Sequence, residues 1–132
     1  MIREQGLRLT FCYAAGGPAS TFFEALGEGR LLGSECSACG RVSCPPPSFC
    51  SGCGAATNRL REVGPGGELR SWTEVPGVGV FGRVQLDGGA TAPMVHRLIG
   101  GEWSRGDRVR ARFAAEPAGG ILDLEGFVRE AP

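Results

Sequence analysis

Past residue 66 the apolar and polar positions of the chain alternate in short runs. ELRSWTEV (68–75), GRVQL (82–86), PMVHRLI (93–99), RVRARF (108–113) and ILDLEGFV (121–128) each read as a strand with one face turned inward. Glycine-rich turns, PGVG, DGG, GGEWSRGD and AEPAGG, divide them. No helical period appears after residue 33. Five short strands at this spacing predict a small antiparallel barrel. A five-stranded Greek-key OB barrel fits the count, and an SH3-like barrel fits nearly as well from pattern alone.

The first third of the chain has a different texture. In TFFEALGEGRLL (21–32), Phe22, Phe23, Leu26 and Arg30 fall on one helical face, and Ser20 and Thr21 are both suitable N-caps. Gly27 and Gly29 restrict this helix to a few turns. Its paired phenylalanines serve either as core or as a docking face, with core the default. Upstream, Leu7, Leu9, Phe11 and Tyr13 alternate before the breaker AAGGP, which reads as an edge strand or a loose arm.

Between helix and barrel lies CSACGRVSCPPPSFCSGCG (36–54), with five of the six cysteines. Cys36 and Cys39 form one C-x2-C pair, and Cys50 and Cys53 form another, ten residues apart. Each pair runs into a glycine, which permits the positive φ a tight knuckle needs and brings backbone N–H groups toward sulfur. Two such knuckles complete a tetrahedral site of four thiolates. Zinc is the expected ion, one per chain, with iron in a rubredoxin-like site as the alternative. A closed all-cysteine shell leaves no place for water or substrate, so the metal is structural, and binding it contributes roughly 10 kcal/mol or more to folding. Cys44, before Pro45-Pro46-Pro47, is a bystander; the sharper alternative is exchange with one of the four. Cys12 has no partner at metal spacing.

The rest of the composition mainly excludes. Fourteen Arg balance fourteen Asp and Glu, there is no Lys, and the formal net charge is zero. No global field favours nucleic acid or a membrane, and Schiff-base or P-loop lysine chemistry is absent. The N-terminus lacks the apolar core of a secretion signal, and no stretch approaches a membrane span, so a cytoplasmic setting with reduced thiols is expected. Gly77-x-Gly79-x-x-Gly82 matches a dinucleotide fingerprint but leads into a strand, not a helix, and reads as a hairpin loop. Arg108, Arg110 and Arg112 share one strand face, opposite Val109, Ala111 and Phe113. A solvated face is the default and an anion site the alternative. Trp72 and Trp103 either cap a small core or stack on bases. His96 is the only histidine, and Asp87, Asp107 and Asp123 are the only aspartates, so a self-contained catalytic triad has few ways to form.

The run FFEALGEGRLLGSECSACGRVSCPPPSFCSGCG (22–54), with LRSWTEV, MVHRLIGGE and GDRVRARF after it, resembles the acyl-CoA-associated OB-fold proteins with a rubredoxin-like zinc ribbon (domain of unknown function 35). The resemblance covers about residues 20–130 and is most specific over 22–75. It implies a mainly β fold: an N-terminal extension (1–18), a short helix (19–33), a zinc ribbon (34–58) and a five-stranded OB-fold barrel (59–130). It carries the zinc ligands onto Cys36, Cys39, Cys50 and Cys53 and brings no catalytic residue. It implies a non-catalytic accessory subunit in acyl-CoA or polyketide-type metabolism. The partner would be a thiolase-superfamily, ketosynthase-like or acyltransferase enzyme, which the ribbon and helix dock while the barrel borders its acyl-CoA entrance. The contrasting reading is a single-stranded nucleic-acid binder, which the neutral charge disfavours.

Overall fold

The computed structural model describes residues 1–131. One helix, α1 (Gly17–Gly27), precedes eight strands: β1 (Leu31–Glu35), β2 (Val42–Ser43), β3 (Leu60–Val63), β4 (Gly66–Val75), β5 (Gly79–Leu86), β6 (Met94–Leu98), β7 (Arg108–Phe113) and β8 (Leu124–Arg129). The first three strands form a small sheet in the order β2-β1-β3, and the last five close into a barrel in the order β4-β5-β6-β8-β7. Counted within the barrel, the order is first, second, third, fifth, fourth, the Greek-key order of the OB fold, and the SH3-like alternative falls away.

Alternation explains the barrel. In β7, Val109 and Ala111 point inward while Arg108, Arg110 and Arg112 face out, as the pattern predicts. Leu69, Val84, Val109, Leu124 and Phe127 are fully buried and fill the interior. Closure between β6 and β8 is narrow. These strands run parallel and share one register pair, Leu98 with Phe127, reinforced by the Ile99 N–H donating to the Phe127 carbonyl at 2.9 Å.

One apolar cluster runs through helix, ribbon sheet and barrel. Phe22, Ala25 and Leu26 of α1 and Leu31, Leu32, Val42 and Val63 of the small sheet belong to the same core as the barrel residues. Burying each such side chain is worth about 1.5–3 kcal/mol, so the ribbon is anchored to the barrel at its base rather than tethered to it.

Three expectations need correction. The helix begins at Gly17, with Gly16 at its N-cap and Pro18 in its first turn, not at Ser20 or Thr21. It ends at Gly27, so Arg30 lies beyond it and pairs instead with Glu28, and Leu31 to Gly33 are sheet rather than helix. Residues Ile121–Asp123 form a 3-10 turn, and the last strand starts only at Leu124. Of the two readings left for the N-terminal stretch, the loose arm holds: residues 1–15 pair with no strand, and Leu7, Leu9, Phe11 and Tyr13 are exposed.

Candidate metal centre

The ribbon's outer end is built from two matching turns. The Gly40 N–H donates to the Cys36 carbonyl at 2.8 Å and the Gly54 N–H to the Cys50 carbonyl at 2.9 Å. In return the Cys36 N–H donates to Arg41 and the Cys50 N–H to Ala55, closing each loop on itself. Gly40 and Gly54 hold φ values of 78° and 79°, the left-handed conformation inferred for the glycine after each second cysteine.

The two turns bring four sulfurs together. Cys36 Sγ lies 3.5 Å from Cys53 Sγ, Cys39 Sγ lies 3.6 Å from Cys50 Sγ, and all four fall within 4.8 Å of one another. A zinc–sulfur bond of ~2.3 Å places the corners of a tetrahedron about 3.8 Å apart, so a single ion fits with little adjustment. The electrostatics agree. N–H groups of Cys39 and Ala38 lower the Cys36 thiol to about 6, and those of Cys53 and Gly52 hold Cys50 below its usual range. At Cys53 the Ala55 N–H pulls downward, but the crowding sulfurs of Cys36, Cys39 and Cys50 prevail and push it up to about 11. Negative charge concentrated at one point is what a divalent cation relieves.

Residues 23–59 match the family described as the ChsH2 rubredoxin-like zinc ribbon domain. A DUF35-family protein from Sulfolobus solfataricus superimposes with a TM-score of 0.60 at 19% identity, covering 73% of this chain and 78% of that one. The Ltp2-ChsH2(DUF35) aldolase superimposes with a TM-score of 0.61 at 25% identity, covering 83% of this chain and 90% of that one. No curated protein matches. This chain joins a rubredoxin-like zinc ribbon to a closed five-stranded barrel. Its ribbon provides one structural zinc site.

The remaining candidate residues sort by geometry. Cys44 stands apart from the four sulfurs. It packs against the core with Sγ 3.4 Å from the Leu32 carbonyl oxygen, and burial pushes its thiol up to about 12, where it is neither ligand nor nucleophile. Cys12 is exposed on the N-terminal arm. His96 packs edge-on to Phe127, its Nδ1 accepts from the Arg97 N–H at 2.8 Å, and burial lowers its pKa, helped by the Arg97 charge. Among the described residues it bonds to no carboxylate.

The arginine face is neutralised. Arg108 reaches Asp87 at 2.5 Å, Arg110 lies 3.9 Å from Glu130, and Arg112 reaches Glu125 at 2.7 Å. That is a solvated ladder of ion pairs rather than a free cationic stripe, as the default reading has it. Gly77 lies in the β4–β5 hairpin turn and Gly79 opens β5, so no helix follows. Phe22 is buried in the core, whereas Phe23 is only partly buried and borders a groove with Tyr13 and Pro117. Trp103 is buried and Trp72 is 46% exposed, so only one of the two tryptophans caps the core. No helix among the described residues is long and apolar enough to cross a membrane.

Asp123 has a structural role that its place in the alternating pattern does not suggest. Its side chain is nearly inaccessible, and its two oxygens accept the N–H groups of Ala118 at 2.7 Å and Gly119 at 2.8 Å. These bonds, the Ala118 one foremost, hold its carboxyl below the usual range. It pins the loop between β7 and β8. The sequence signal was available: an acid between Leu122 and Leu124, preceded by AGG, is a carboxylate with backbone amides to satisfy.

Proposed function

We propose that this chain is a non-catalytic accessory subunit of an acyl-CoA-processing enzyme complex. In this reading Cys36, Cys39, Cys50 and Cys53 each give one thiolate to a zinc ion that shapes the ribbon. The ion takes no part in chemistry, because four protein ligands leave it no open position. The observation that carries the proposal is the likeness, over most of both chains, to a DUF35 protein that is named together with an aldolase partner.

The site geometry supports it. His96 has no proton-relay partner, the Cys44 thiol is masked, and four of the six cysteines converge on one point. The partner is a thiolase-superfamily, ketosynthase-like or acyltransferase subunit that supplies the reactive groups. The ribbon tip, where Phe49 is exposed, and the Phe23 side of α1 offer it apolar contact, and the barrel borders its acyl-CoA entrance. Affinity purification of the tagged chain from its own cells should return such an enzyme. Omitting this chain from the reconstituted complex should abolish or sharply reduce the partner's turnover of its acyl thioester. Full partner activity without it, or turnover by this chain alone, would overthrow the proposal.

A further inference from the structure

One part of the barrel takes no part in zinc binding yet is built like a receptor. The chain's two tryptophans both line a single open cleft of about 490 Å³, together with Glu74, Glu102 and Ser104. The cleft lies between the outer half of β4 and the loop joining β6 to β7. Its volume is within the range of sites that enclose a small group.

Three observations define what it would hold. Glu74 and Glu102 are exposed at its rim, and neither side chain takes part in a hydrogen bond or ion pair among the described residues. They are therefore free to take a cation, unlike the eight acids that the ten ion pairs occupy. Trp72 presents nearly half its surface to solvent. Trp103 is more than nine-tenths buried, and its indole nitrogen is shielded from water without a hydrogen-bond partner. Two unpaired carboxylates beside the exposed Trp72 ring select a cation with a flat or apolar body. Trp103 already receives one: the Arg129 guanidinium sits 5.8 Å from its ring centroid, neutralised by Asp107 and bonded to the Glu102 carbonyl at 2.5 Å.

We propose that this cleft receives an arginine side chain from the catalytic partner. The guanidinium would stack on Trp72 and pair with Glu74 and Glu102, while the arginine's own peptide brings carbonyl oxygens that a bare polyamine lacks. The inference rests on the accessory-subunit reading, since it names the partner's contribution to the contact. It predicts a docking surface in which this chain gives acid and aromatic groups and the partner gives the base.

Because Trp72 and Trp103 are the only tryptophans, emission excited selectively at tryptophan, beyond the absorption of Tyr13, reports on this cleft alone. The zinc-loaded full chain is titrated with acetyl-Gly-Arg-Gly-amide, with the twin peptide carrying neutral citrulline, and with spermidine. The arginine peptide should change the emission saturably, with Kd on the order of 1 mM. The citrulline twin and spermidine should bind about tenfold more weakly, and the Glu74→Gln/Glu102→Gln double variant should lose about tenfold in affinity for the arginine peptide. Equal response to arginine and citrulline, tighter or equal binding of spermidine, an unaffected double variant, or no saturation by tens of millimolar peptide would each overturn the assignment. Any of these results leaves the subunit reading standing, because that reading fails only in co-purification and reconstitution.

Discussion

Removing the metal should melt one end of this molecule and spare the other. Between Cys36 and Asn58 the buried side chains are Val42, Pro46 and Cys50. Their burial is worth about 5 kcal/mol in all, whereas a four-ligand zinc ion contributes about 10–16 kcal/mol of apparent binding energy. The ion therefore dominates the order of this segment. The barrel has its own interior of Leu69, Val84, Val109, Leu124 and Phe127, all fully buried, and does not depend on zinc. The perturbation is chelation of the full chain, with Cys39→Ser as the genetic equivalent. The assay is amide hydrogen exchange read by peptide. Exchange across 36–58, which includes the Gly40 and Gly54 N–H groups that close the knuckles, should accelerate by about a hundredfold or more. Exchange in β5 and β7 should change little. Unaltered protection of 36–58 in protein verified to be metal-free would refute the reasoning. So would simultaneous loss of protection in the barrel, which would show that the anchoring core cannot stand without the ribbon.

Three further outcomes follow from particular contacts. A Cβ at Gly126 would lie 2.7 Å from the Arg97 carbonyl oxygen and 2.9 Å from Ile99 Cδ1, on the one-pair seam that closes the barrel, so Gly126→Ala should cost about 3 kcal/mol; a Tm unchanged to within about a degree would contradict this. Asp123 is held below the usual carboxylate range in the fold, so its contribution is present above the unfolded pKa and lost as pH falls through the folded one. Wild-type Tm should therefore drop as pH falls from about 5 toward 2, and Asp123→Asn should lower Tm at neutral pH and flatten that slope; parallel Tm–pH curves for the two proteins would contradict the assignment. Thiol titration of zinc-loaded protein should show one fast-reacting cysteine, Cys12, with Cys44 protected until denaturation; rapid labelling of Cys44, located by peptide mapping, would be inconsistent with its packing.

Much of this architecture was legible because its signals are local. The knuckles announce themselves in a spacing and a following glycine, and Gly40 and Gly54 adopt the predicted left-handed backbone. The barrel strands carry their burial in period-two alternation, so RVRARF could be assigned face by face. What was missed is specified at a distance. Strands β2 and β3 are two and four residues long and exist because β1 lies between them, a pairing no local pattern encodes. The helix starts at Gly16 and Pro18 rather than at a serine cap because a proline in the first turn, preorganised in φ, substitutes for a side-chain bond, and none is made. ILDLEGFV read as one strand because its alternation continues through Asp123. The structure inverts that stretch, burying the acid against backbone amides and exposing Leu122. The cleft between Trp72 and Trp103 joins residues thirty-one positions apart and could not be anticipated from either.

The most direct test of the account is native mass spectrometry of the tagged chain isolated gently from its own cells. The account predicts one zinc ion per copy of this chain and a bound second polypeptide of the thiolase-superfamily or acyltransferase class. A free, metal-less chain would contradict it at both points.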